Sequence, residues 1–164
     1  MFRTLVIGYG NLDRQDDGVA YEVINALRRR LGQAALGGEE IQLDELGNQT
    51  DSIFVMQLAP ELLDIVADYD QVIFVDAHVR PNLPDLHWAP VQPEYAPSAF
   101  THHMTPGMLL ALLQALYHRE PVGYVVTIPG QAFDFGQGLS PGTEALVEPA
   151  AEQILRLLAE PGNA

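Results

Sequence analysis

The chain has 164 residues, 48% of them hydrophobic, with 22 acidic against 8 basic residues and a formal net charge of −14. That length fits about one domain with a real apolar core, and we read residues 1–164 as a single domain. The charge excludes a protein that works mainly by neutralising nucleic-acid phosphates, and it disfavours docking on an anionic membrane. The absence of cysteine excludes disulfides, thiolate metal sites and cysteine nucleophiles, so any metal must be held by His, Asp, Glu or backbone oxygen. The apolar start, Met1 to Gly8, runs directly into Asn11, Asp13, Arg14, Asp16 and Asp17 without a cleavage pattern. No apolar run approaches the ~20 residues a membrane span needs. The expectation is a cytoplasmic protein with neither a nucleic-acid nor a membrane partner.

Leu5-Val6-Ile7, apolar on both faces, predicts a buried parallel strand that ends in the tight loop Gly8-Tyr9-Gly10-Asn11. Val19, Val23, Leu27 and Leu31 then repeat every four residues and predict an amphipathic helix. Arg28, Arg29 and Arg30 stand where the helix dipole favours cations, and Gly32 ends the segment. Ile41 to Asp44 alternates and predicts a second strand. Ile53 to Met56 fits either a strand or a packed loop. Pro60 to Ala67 predicts a helix opened by proline. Val72 to Val75, ending at Asp76, is another central-strand run, and Leu86 to Val91 is a weaker strand whose prolines suit an edge. Thr105-Pro106 predicts a capped helix start before a leucine-rich helix. Val122 to Ile128 is the last strand, Pro129 to Ser140 a glycine-rich loop, and Thr143 to Leu158 the last helix. Pro149 within that helix predicts a kink or a later start. Alternating strands and helices give an α/β fold with a largely parallel sheet covered on both faces.

Ligands of such sheets bind at the carboxyl ends of the strands. Three polar groups fall there: Asn11, Asp13, Asp16 and Asp17 after the first strand, Asp76-Ala77-His78 after the middle one, and Thr101-His102-His103 before the leucine-rich helix. Taken singly, Asp16 and Asp17 read as helix-capping residues, Asp76 as a turn former and the histidines as a solvated pair. Taken together, two carboxylates and an imidazole on one sheet edge fit an oxygen-and-nitrogen metal site for Zn, Ni, Fe or Mn, or metal-free acid–base chemistry. A nucleotide fingerprint fails where glycine should stand at Asp13, and the acidic loop opposes a phosphate. None of the three serines sits in a nucleophile elbow.

In this order and spacing, Gly8-Tyr9-Gly10-Asn11 with Asp16-Asp17-Gly18, then Val75-Asp76-Ala77, then His102-His103-Met104-Thr105, resemble the motifs of the hydrogenase maturation proteases. These endopeptidases trim the C-terminus of the nickel–iron hydrogenase large subunit. The resemblance covers nearly the whole chain, through Gly138-Leu139-Ser140-Pro141 and Glu148-Pro149. It implies a three-layer α/β/α fold on a twisted, mainly parallel sheet, and an aspartic-type endopeptidase acting on the large-subunit precursor. It also implies that Asp17, Asp76 and His102 contact nickel brought by the substrate and serve as the catalytic set. His102 is favoured over His103 because it lies two residues before the apolar Met104. The sequence departs from the family pattern at Ala20, where glycine is frequent, and at His78, an additional potential ligand. The alternatives are a non-catalytic maturation factor that binds the same precursor, and a flavodoxin-like nucleotide-binding module.

Overall fold

The structure, a computed structural model, describes residues 1–38, 41, 43–79, 85–95 and 103–161. Its centre is a five-stranded sheet of β1 (Thr4–Tyr9), β2 (Thr50–Val55), β3 (Gln71–His78), β4 (His87–Pro90) and β5 (Val122–Pro129), in the order β2-β1-β3-β5-β4. All neighbours run parallel except β4, which pairs antiparallel with β5 at the edge, as its prolines foretold.

The middles of β1 and β3 are apolar because both their faces are covered. Val6, Ile73 and Val75 point to one side, where α1 (Val19–Arg30) and α5 (Val147–Ala159) pack through Val23, Ile24, Leu27 and Ile154. Leu5, Ile7, Val72 and Phe74 point to the other, against α2 (Leu63–Val66) and α3 (Pro106–Tyr117). The fold is therefore α/β, consistent with three α/β/α layers. No helix among the described residues is long and apolar enough to cross a membrane.

Two expected elements are corrected. Among the described residues no strand forms at Ile41–Asp44: Leu43–Glu45 is a single 3-10 turn, and Leu43 is exposed. The strand is Thr50–Val55, which resolves the Ile53 to Met56 run as strand; the buried polar residues before it disguised its start. Asp51 accepts hydrogen bonds from Gly47 N (2.9 Å) and the Tyr69 hydroxyl (2.6 Å), while Ser52 Oγ accepts from Arg28 (3.2 Å). These polar partners thus make an apolar face unnecessary there. The last helix starts later than Thr143. A short turn of helix, α4 (Pro141–Glu144), precedes α5, and Pro149 falls in the first turn of α5, where its missing N–H is not needed.

The arginines ending α1 also act differently from a simple dipole match. Arg28 is buried and donates to the Ala34 and Ser52 carbonyls, while Arg29 and Arg30 reach Glu148 on α5 at 3.3 and 2.9 Å. These pairs are exposed and screened by solvent, so they contribute little to stability. Gly32, at φ +71°, stops the helix as expected.

Candidate active site

The strand order reverses direction between β1 and β3, since β2 follows β1 on one side and β3 lies on the other. This switch point opens a crevice at the carboxyl ends of the two strands. Two glycines shape its β1 wall. A Cβ on Gly8 would stand 2.6 Å from Ile24 Cδ1, so glycine lets α1 press directly onto the strand. Gly10 has φ +151°, and a Cβ there would lie 1.9 Å from the Asp17 carbonyl oxygen. The loop consequently folds back on itself, and Asn11 N donates to Asp17 Oδ2 at 2.8 Å. The Asp17 carboxylate is fixed at the crevice by backbone rather than by a flexible contact.

Asp76 approaches from β3. Burial is the main cause that pushes its carboxyl up to about 7, and the Asp17 charge adds to it; hydrogen bonds from Ala77 N (2.7 Å) and the Tyr9 phenol act in the opposite sense. Burial, reinforced by the adjoining Asp76, holds the Tyr9 phenol protonated far above its ordinary range. Asp17, Asp76, Tyr9, Asn11, Met56 and His103 line one cavity of about 550 Å³ beneath the first residues of α3. A carboxyl that titrates near neutrality beside a second carboxylate can take a proton from water and return it to a leaving amine. Both also offer hard oxygen donors to a divalent ion. Among the described residues, no three His, Asp or Glu side chains stand close enough together to hold an ion by themselves.

The residues singled out from the sequence separate into different roles. Asp17 and Asp76 share the cavity, and His103 lines it with them. His102, expected as the imidazole of the site, lies outside the described residues. Asp16 turns away and is fully buried. It accepts from Gln131 N (2.8 Å), Ala132 N (2.9 Å), Ser140 N (2.8 Å), Ser140 Oγ (2.7 Å) and Thr143 Oγ1 (3.1 Å). Burial opposes its ionisation, but the Ser140 hydroxyl and three backbone donors together outweigh it and hold the carboxyl at about 2. Asp16 thus anchors the glycine-rich loop behind the site. Neither Asp16 nor Asp17 caps α1, whose N-cap is Gly18 with no side-chain hydrogen bond.

Thr105 does cap α3, its hydroxyl accepting from Met108 N at 3.1 Å, with Pro106 as the first helical residue. His78 extends β3 and sets its Nδ1 2.8 Å from Thr127 Oγ1 on β5. Tyr9 was not anticipated as a site residue. Its only signal in the sequence was a large polar aromatic at the end of an apolar strand, between two glycines.

The chain and its fold have known counterparts. A scan against protein-family profiles finds no match. The chain is 30% identical over 166 residues to the hydrogenase 2 maturation protease of Escherichia coli, a match that covers 98% of this chain and 93% of that protein. Its structure resembles that of the hydrogenase maturating endopeptidase of E. coli with a TM-score of 0.73 at 26% identity, covering 98% of this chain and 94% of the other. The [NiFe] hydrogenase maturation protease of Thermococcus kodakarensis shares the fold, with a TM-score of 0.66 at 18% identity over 95% of this chain and 99% of that one. A full-length relationship of this closeness, over a sheet edge that joins the acidic motifs of β1 and β3, places the chain in the hydrogenase maturation protease family.

Proposed function

We propose that this chain is an endopeptidase that removes the C-terminal extension of a nickel–iron hydrogenase large-subunit precursor after nickel insertion, in the cytoplasm. The observation that carries the reading is the meeting of Asp17 and Asp76 in one cavity at the switch point, with Asp76 poised near neutral pH. Full-length kinship to a hydrogenase maturation protease supports the reaction class.

Nickel belongs to the substrate in this account. Asp17, Asp76 and His102 complete its coordination with oxygen and nitrogen donors, while the precursor supplies the remaining ligands. Such a partial donor set suits an ion that arrives and leaves with the peptide. Asp76 then serves as the aspartic-type base toward the attacking water, and Asn11 N keeps Asp17 oriented. The Tyr9 phenol donates to the ionised form of Asp76 and so keeps more of it deprotonated and available as a base.

The test is mass spectrometry of a purified precursor incubated with the protein, with and without inserted nickel. The reading expects loss of the C-terminal segment from the nickel-loaded form alone. A stable complex with no mass loss would instead make the chain a non-catalytic maturation factor, and equal cleavage of both forms would remove nickel from recognition.

A further inference from the structure

The chain has no lysine, and its 8 basic residues are all arginines, so a permanent side-chain cation here is always a guanidinium. Arg3, Arg28, Arg29, Arg30 and Arg119 each lie against a carboxylate of the chain itself. Arg14 makes no ion pair among the described residues, although the chain carries 22 acids. It is exposed at the rim of the cavity that holds Asp17 and Asp76, and it is the only arginine in the described lining.

The Arg14 side chain is held in place. Its Nε and Nη2 both donate to the Phe133 carbonyl oxygen, at 3.1 and 2.9 Å. That carbonyl is itself fixed, because Ala132 N donates to Asp16 (2.9 Å) and Asp134 N to Gln15 Oε1 (3.2 Å). The two loops are also joined through backbone: Gln15 N donates to Gly136 O at 3.0 Å, and Gly136 N to Asp13 O at 2.9 Å. Gln15 sits in the left-handed region at φ +51°, a strained conformation that these contacts maintain. A guanidinium has two donor edges. The side edge, Nε with Nη2, is engaged by Phe133; the end edge, Nη1 with the second Nη2 hydrogen, has no partner among the described residues.

A fixed planar fork without a counter-ion matches a carboxylate, which it can hold bidentately. We propose that Arg14 is a specificity-determining residue whose end edge takes a carboxylate of the precursor close to the scissile bond. This rests on the endopeptidase reading above. An extended peptide advances ~3.3 Å per residue, so a group on the cavity rim belongs to a position within a few residues of the bond cut beside Asp76. Two sources offer that chemistry: an acidic side chain near the bond, and the carboxylate that cleavage creates. Hydrolysis places the water oxygen on the carbonyl carbon and breaks the C–N bond, leaving a carboxylate on one fragment and an amine on the other. On a surface of net charge −14, one held cation sets the single place where such an anion is accepted.

The experiment compares full-length wild type, Arg14→Gln and Arg14→Lys on the nickel-loaded precursor, and on precursors with each acid within four positions of the cleaved bond replaced singly by its amide. Arg14→Gln should lower kcat/KM about five- to tenfold, as for a bidentate charged pair at an exposed rim, and Arg14→Lys should recover part of it. If an acidic side chain is the source, one amide replacement slows wild type by the same factor and leaves Arg14→Gln indifferent. If the new carboxylate is the source, no replacement does so, and the mature large subunit inhibits wild type at a five- to tenfold lower concentration than it inhibits Arg14→Gln. A residue that only clamps Phe133 would slow every precursor alike and leave product inhibition unaltered. That result, or wild-type kcat/KM in Arg14→Gln, overturns the assignment while the protease reading stands. If wild type cuts no nickel-loaded precursor, the protease reading fails and the role of Arg14 with it.

Discussion

Replacing Asp76 by asparagine should stabilise the protein above neutral pH while abolishing its activity. In the folded chain burial, with the Asp17 charge, raises this carboxyl from an ordinary 3.8 to about 7. The folded state therefore holds a proton that the unfolded state has released, and stability falls as pH rises from about 4 to about 7. A shift of ~3 units corresponds to about 4 kcal/mol, and partial exposure to water reduces this to about 2–3 kcal/mol. Asparagine keeps an oxygen for Ala77 N and the Tyr9 hydroxyl but carries no charge to bury. At pH 8 the variant should unfold at ~4–10 °C higher temperature than wild type, and at pH 4 the two should nearly coincide. Calorimetry of both proteins at pH 4, 6 and 8 checks this. An equal difference at all three values would refute the claim that Asp76 is strained by its charge.

Asp16 should behave in the opposite sense. Its carboxyl is held at about 2, so its contribution to stability is present above pH 4 and is lost as pH falls toward 2. Asp16→Ala leaves buried donors without an acceptor and should cost about 3–5 kcal/mol in urea titrations; a loss below about 1 kcal/mol would contradict the anchoring role. Gly10→Ala forces a Cβ onto the Asp17 carbonyl. It should destabilise by more than about 2 kcal/mol and displace the Asp17 carboxylate, with backbone amide shifts concentrated at residues 10–17. Thr105→Ala removes the cap of α3 and should cost about 1 kcal/mol, read from the denaturation midpoint.

The strands of the centre were legible because a parallel strand covered on both faces leaves an unbroken apolar run, as at Leu5-Val6-Ile7 and Val72 to Val75. The edge strand β4 was legible through its prolines. β2 was legible only as the ambiguous run Ile53 to Met56, because Asp51 and Ser52 before it are inward-facing polar residues whose partners, Tyr69 and Arg28, come from distant parts of the chain. The same reason separates Asp16 from Asp17. Adjacent carboxylates look alike in a sequence, and only the fold shows one facing the glycine-rich loop and the other the crevice. Tyr9 escaped notice because its role depends on the register that sets β1 beside Asp76. The motif order led correctly to the family.

The most direct test of the central claim is cleavage of a nickel-loaded large-subunit precursor by wild type and by Asp17→Asn, Asp76→Asn and His102→Gln, each checked for folding by calorimetry. The account predicts that wild type releases the C-terminal segment and that each variant, though folded, is slowed by at least about 100-fold. Folded variants of Asp17 and Asp76 that cut the precursor at the wild-type rate would contradict it.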